Sequence, residues 1–204
     1  MRIEKIERSK LGRILVHLEG GTLLRITEDE LLRFGLYQGL DIGADTVVEL
    51  QKSAARSRAR VRAANMISAR PLSRAELSRR LKKGGAGDTD AEAAADWLEG
   101  IGALDDLAYA KLLVRHYTER GYGSARLRDE LHKRGVPRDL WDEALESAAP
   151  AQETLERWLR ARTRGAVPDE EQRRKLSGAA LRRGFTWGEV KEALAALGAE
   201  IEEE

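Results

Sequence analysis

The stretch Gly123-Ser124-Ala125-Arg126-Leu127-Arg128-Asp129-Glu130-Leu131-His132-Lys133-Arg134-Gly135-Val136 decides the fold, because its pattern recurs on both sides of it. Leu127, Leu131 and Gly135 match Leu77, Leu81 and Gly85 at a shift of 50 residues, and Leu176, Ala180 and Gly184 at a shift of 49. Leucines four apart share one face of a helix, and a glycine just beyond them ends it. Past the glycine, Trp141, Ala144 and Leu145 match Val190, Ala193 and Leu194, again at 49. In the first unit an insertion around residues 86–89 intervenes, and Ala94, Trp97 and Leu98 take the same places. A period near 50 marks a repeat array of three-helix units that contact mainly their neighbours, so the expected body is elongated. Ala180, where the second unit has Leu131, predicts looser packing in the third.

Working outward, capping signals divide the rest. Ser73 with Glu76, Thr89 with Glu92 and Thr186 with Glu189 read as capping boxes, Ser124 as a further cap, and Pro137 and Pro168 as helix starts. Nine helices follow, near 54–70, 74–84, 90–101, 106–120, 125–134, 138–149, 152–164, 169–183 and 187–199. The segment before them is different. Ile14, Val16 and Leu18 alternate as in a strand, Gly20-Gly21 supplies a turn, and residues 22–26 give a second strand. Thr27 and Glu30 form a capping box for a helix over 28–34 that stops at Gly35. Val47, Val48 and Leu50 fit either one more strand or the start of the next helix. The fold class is therefore mainly α: a small α/β module over 1–52, then three-helix units over 53–102, 103–150 and 151–204.

Composition narrows the function classes. The 204 residues include no cysteine, which excludes a disulfide framework, a thiol nucleophile and a thiolate metal site. No apolar run approaches membrane-spanning length, and charges throughout residues 1–10 leave no signal-peptide core; the expectation is a cytoplasmic chain with no membrane partner. The net charge of +1 conceals an uneven distribution. Residues 53–83 hold 10 basic side chains against the single acid Glu76, whereas 1–52 carry −1 and 84–204 carry −7. Such a local field needs partners of opposite sign.

The ordered set of motifs carries a family resemblance. Arg70-Pro71-Leu72-Ser73-Arg74-Ala75-Glu76-Leu77, then Gly100-Ile101-Gly102-Ala103-Leu104-Asp105-Asp106-Leu107-Ala108-Tyr109-Ala110, then the 123–136 stretch and Arg182-Arg183-Gly184-Phe185 resemble the RecX family of recombinase regulators. The segment Ile26-Thr27-Glu28-Asp29-Glu30-Leu31 with Phe34-Gly35-Leu36 is similar to an extra β/α module on some members. The resemblance implies three tandem three-helix repeats. It also implies binding to the RecA recombinase and its nucleoprotein filament on single-stranded DNA. Lying in the filament groove, such a protein restrains ATP hydrolysis, strand exchange and co-protease activity in recombination, repair and the SOS response.

Three basic groups are the candidate contacts with partner or DNA. The first is Arg56, Arg58, Arg60, Arg62, Arg70, Arg74, Arg79, Arg80, Lys82 and Lys83; the second is Arg126, Arg128, Lys133 and Arg134; the third is Arg173, Arg174, Lys175, Arg182 and Arg183. Each also has a plain reading as a solvated helix face, which Asp129 and Glu130 favour for the second group. Tyr122, between two glycines, is either an exposed contact or a ring packed over its loop. The tryptophans could stack on bases, but Trp97 and Trp141 sit among leucines and are expected to pack between helices.

No cofactor, metal site or nucleophile-and-base set can be read, so no enzyme is expected. Asp105-Asp106 precede a helix and suit its dipole. A direct DNA binder of helix-turn-helix type stays open as the alternative, although Asp90, Glu92, Asp96 and Glu99 on its second helix oppose phosphate. A scaffold for other partners stays open as a third class. The array needs no second chain to bury its helices, so a monomer is expected.

Overall fold

In a computed structural model, residues 1–9, 12–164 and 166–202 are described, with side chains through Gly198. The chain divides into two compact units: 1–70 with 77–104, and 71–76 with 105–204.

The first unit begins with a three-stranded antiparallel sheet in the order β1 (Ile3–Arg8), β2 (Ile14–Leu18), β3 (Leu23–Ile26). Its register sets Ile14 opposite Ile26, Val16 opposite Leu24 and Ile3 opposite Leu18. Alternation therefore brings the apolar side chains to one face, where Ile3, Val16, Leu18 and Ile26 are buried. Helix α1 (Glu28–Arg33) starts on the expected box: the Glu30 N–H donates to Thr27 Oγ1, and the Thr27 N–H donates to Glu30 Oε2.

Helix α2 (Ala44–Ala69) settles the open reading of Val47, Val48 and Leu50, which are helical. It starts ten residues earlier than the expected 54 and runs unbroken through 52 and 53. The reason lies in its two buried sections. Val47, Leu50 and Ala54 close the core over the sheet with Leu36 and Ile42, while Ala59 and Ala63 are buried farther along. One helix thus serves the β module and packs against α4 (Asp88–Gly100). Helix α3 (Arg74–Lys83) buries Leu77 and Leu81 in the expected places.

The second unit holds α5 (Asp106–Glu119), α6 (Ser124–Lys133), a 3₁₀ turn at Arg138–Leu140 leading into α7 (Trp141–Leu145), then α8 (Ala151–Thr163), α9 (Glu170–Arg182) and α10 (Trp187–Glu202). Helices α5, α6 and α7 enclose a core of Tyr109, Leu113, Val114, Leu127, Leu131 and Ala144. Helices α8, α9 and α10 enclose Leu155, Trp158, Leu159, Ala180, Val190, Ala193 and Leu197. The helix expected over 138–149 is shorter, because Ser147 Oγ takes the Ala144 carbonyl and Pro150 follows.

The repeat is visible in backbone geometry. Gly85, Gly135 and Gly184 have φ of +89°, +70° and +89°. After each, the next N–H reaches back four residues before the glycine: Ala86 to Leu81 O, Val136 to Leu131 O, and Phe185 to Ala180 O. Three copies of one helix ending at one period carry the tandem three-helix architecture.

Two expected caps are corrected. Thr89 is not an N-cap: α4 starts at Asp88 with Gly87 before it, and Glu92 instead accepts from Ser78 Oγ at 2.6 Å. Ser124 is the first residue of α6, and Gly123 holds the cap position. Directly after Pro168, Asp169 with Gln172 forms a further capping box at the start of α9. Asp105 caps α5 by accepting from the Ala108 N–H at 2.9 Å.

Candidate partner-binding surface

The three basic groups differ once their neighbours are known. On α2, residues 56 and 60 share one face and residues 58 and 62 another, since positions four apart align. Arg56, Arg58, Arg79 and Lys83 are exposed, and among the described residues none lies within ion-pair distance of a carboxylate. Arg60 lies over the Trp97 ring at 5.7 Å, and Arg62 donates to the Gly84 carbonyl at 2.5 Å. Lys82 is engaged: it bridges Asp88 at 3.2 Å and Glu92 at 3.3 Å, and those two carboxylates hold its ammonium above the ordinary lysine value. Arg80 is exposed, and Arg70 and Arg74 are half-buried; each of the three has partners within the chain.

The second group is largely consumed within its own unit. Glu130 is buried and accepts from Tyr117 Oη at 3.0 Å, with Arg126 at 2.8 Å and Lys133 at 3.3 Å. Burial alone would push this carboxyl up; Tyr117, Lys133 and Arg126 outweigh it and hold the group below the ordinary 4.5. Arg134 stands 3.9 Å from Glu76, and its backbone carbonyl accepts from Ser73 Oγ. Arg128 is exposed.

The third group divides. Arg183 donates to the Arg120 carbonyl at 2.9 Å and the Gly121 carbonyl at 3.2 Å, and lies over Tyr122 at 4.7 Å and Trp158 at 5.0 Å. Tyr122 is half-buried with Arg126 on its ring and Tyr117 beside it, which favours the ring packed over its loop. Around it the Gly123 N–H donates to Arg183 O at 2.9 Å and the Ala125 N–H to Gly184 O at 3.2 Å. Lys175 pairs with Glu171 at 2.6 Å, and Arg173 Nε donates to Pro168 O at 3.0 Å. Arg174 and Arg182 are exposed.

The tryptophans follow the packing expectation with one exception. Trp158 is 8% exposed, Trp97 and Trp141 are half-buried, and Trp141 Nε1 donates to Val136 O at 3.0 Å. Trp187, at the first position of α10, is 62% exposed. Among the described residues no three metal-ligating side chains gather, and no helix is long and apolar enough to cross a membrane.

A β/α module followed by helices in groups of three, without a gathered set of catalytic or metal-ligating side chains among the described residues, defines a helical-repeat protein with basic surfaces. The family profile described as "RecX, second three-helix domain" matches residues 105–145, which hold α5, α6 and α7. The regulatory protein RecX of Halorhodospira halophila is 33% identical over 148 residues, 72% of this chain and 92% of that protein. That of Prosthecochloris aestuarii is 31% identical over 134 residues, 65% of this chain and 89% of that protein. A crystal structure of a regulatory protein RecX aligns over 96% of this chain and 98% of its own, with a TM-score of 0.71 and 23% identity. This chain belongs to the RecX family of regulatory proteins.

Proposed function

We propose that the protein regulates the RecA recombinase, mainly negatively. It binds the RecA–single-stranded DNA filament in its groove and restrains ATP hydrolysis, strand exchange and co-protease activity. Its setting is cytoplasmic recombination, repair and the SOS response. The chain acts as a monomer, with units 53–102, 103–150 and 151–204 as successive contact modules and 1–52 as an accessory module. Linked weak contacts would suffice, since each raises the effective concentration of the next.

The observation that carries the reading is the uneven use of cations. Arg56, Arg58, Arg79 and Lys83 are exposed without carboxylate partners among the described residues, whereas Arg126, Lys133 and Arg134 are paired. Unpaired guanidinium groups on a rigid helix suit forked hydrogen bonds to carboxylate or phosphate. Arg56, Arg58, Arg79 and Lys83 are therefore the principal contact, with Arg128, Arg174 and Arg182 contributing. Against a helix-turn-helix DNA binder stand Asp88, Asp90, Glu92, Asp96 and Glu99 along α4.

The test is ATP turnover by a preformed RecA filament titrated with this protein. Turnover should fall at substoichiometric amounts, and filament should be bound far better than bare duplex. Equal affinity for bare duplex with ATP turnover untouched would overturn the reading in favour of direct DNA binding.

A further inference from the structure

One joint occurs twice in the second unit, which takes in residues 71–76. At the start of α3, Ser73 Oγ donates to the Arg134 carbonyl, and a Cβ on Gly135 would stand 3.0 Å from Ala75 Cβ. At the start of α6, the Gly123 N–H donates to the Arg183 carbonyl at 2.9 Å, and a Cβ on Gly184 would meet the Arg126 backbone. Ser73 and Gly123 stand 50 positions apart, and Arg134 and Arg183 stand 49 apart, so both joints follow the sequence repeat. In each, the start of one helix takes the carbonyl just before a left-handed glycine of the next group. The two joints share no residue.

A continuous line of polar contacts joins them. Arg134 Nη1 lies 3.9 Å from Glu76 Oε2 on α3. Burial works against the Arg134 charge, but Tyr109, a hydrogen bond with Tyr117 and Glu76 outweigh it and hold the guanidinium above its ordinary value. Tyr117 Oη donates to Glu130 Oε2 at 3.0 Å, and Glu130 Oε1 lies 2.8 Å from Arg126 Nη2. The Arg126 backbone in turn packs on Gly184. Aromatic rings run beside this line: Tyr117 and Tyr122 stand 5.6 Å apart between ring centres, and the Arg183 guanidinium covers Tyr122 at 4.7 Å. Tyr117 thus serves both lines, one by its hydroxyl and the other by its ring. Ser73 and Glu130 are buried, which keeps water from the links and makes each sensitive to its neighbours.

We infer that Tyr117 and Glu130 are positioning residues that couple the two joints, so that the start of α3, α6 and the α9–α10 turn are held in one register. Neither side chain is itself a candidate contact. Groups that share no contact ordinarily respond to substitution independently, and the Tyr117–Glu130 line is what makes these joints depend on one another. The consequence for the regulator reading, on which this part rests, is avidity. Arg128 on α6 and Arg174 and Arg182 on α9 are exposed, and they engage one partner together at least cost when their spacing is fixed beforehand. A loosened line leaves each arginine in place and takes away the preset spacing.

The test is native-state hydrogen exchange on the full-length protein, which does not involve the recombinase. Ser73→Ala removes a bond of the first joint alone. It should speed exchange of the Gly123 and Ala125 N–H groups in the second joint about fivefold, while that of Val190 in the α8–α10 core changes less than about twofold. Ser73→Thr, which keeps the hydroxyl, should restore the slow rate. With Tyr117→Phe, the Gly123 and Val136 N–H groups should both exchange about fivefold faster, and Ser73→Ala should then add less than about twofold at Gly123. Unchanged exchange at Gly123 in Ser73→Ala, or equal acceleration at Val190, would overturn the coupling. In ATP hydrolysis by the RecA filament, Tyr117→Phe should raise the half-inhibiting concentration severalfold and leave the maximal inhibition unchanged. Faster exchange at Gly123 with an unchanged half-inhibiting concentration would overturn the positioning role. Absence of inhibition by the unmodified protein would instead count against the regulator reading, and the exchange rates would still decide the coupling.

Discussion

Arg58 and Arg183 are the same residue type in two basic stretches, and they do opposite work. Arg58 extends from α2 among exposed arginines, with no carboxylate partner among the described residues. Arg183 is a structural strut: it satisfies two carbonyls, covers two aromatic rings and accepts from the Gly123 N–H through its own carbonyl. Charge density along a chain marks where cations are, while partners decide whether they hold the fold or remain for another molecule. Each basic group holds both kinds: Arg62, Lys82, Arg126, Lys133, Lys175 and Arg183 have partners within the chain, while Arg58, Arg79, Arg128, Arg174 and Arg182 are exposed.

The comparison breaks most sharply at Gly184. Its φ is +89°, and a Cβ there would collide with the backbone N of Arg126. Gly184→Ala should destabilise the second unit by roughly 3 kcal/mol or more, combining left-handed strain with overpacking. Urea unfolding followed by circular dichroism checks it; a loss below about 1 kcal/mol would mean the junction yields easily. Next comes Glu130→Ala, which strips the partner from Arg126, Lys133 and Tyr117 and should cost about 2 kcal/mol at neutral pH.

The same carboxylate sharpens the picture by its pH dependence. Glu130 and Glu30 are both held below 4.5 in the folded chain. Their contribution is full above that ordinary value and is lost as pH falls through the lower folded values. Unfolding free energy should therefore drop between pH 5 and more acidic conditions, and Glu130→Gln should flatten part of that slope. Arg183→Ala should cost roughly 1–2 kcal/mol through two lost hydrogen bonds and lost ring packing. Smallest of all, charge reversal at Arg58, Arg79 and Lys83 should change stability by no more than about 0.5 kcal/mol.

Much of this architecture was legible in the sequence because it rests on local rules. The offset pairs Leu77/Leu127 and Gly135/Gly184 gave the helical units, and Thr27 with Glu30 gave the start of α1. The run 44–53 was ambiguous because Val47 and Leu50 suit a strand as well as a helix; only their burial over the sheet decides it. Thr89 had the right spacing for a cap, but a glycine two positions earlier let the helix begin sooner. The sites divide in the same way. Arg126 with Glu130, four apart, could be suspected of pairing. Arg183 with the Arg120 carbonyl, and Arg134 with Glu76, join positions about sixty residues apart, which no local pattern reveals.

The most direct measurement compares two charge reversals in one assay, ATP hydrolysis by a preformed RecA–single-stranded DNA filament. One variant carries Arg58→Glu, Arg79→Glu and Lys83→Glu; the other carries Arg128→Glu, Arg174→Glu and Arg182→Glu. The first should lose inhibition at least tenfold while keeping its helical spectrum, and the second should lose severalfold less. Equal loss in both, or full inhibition by the first, would contradict the claim that the unpaired cations of the first unit are the principal contact.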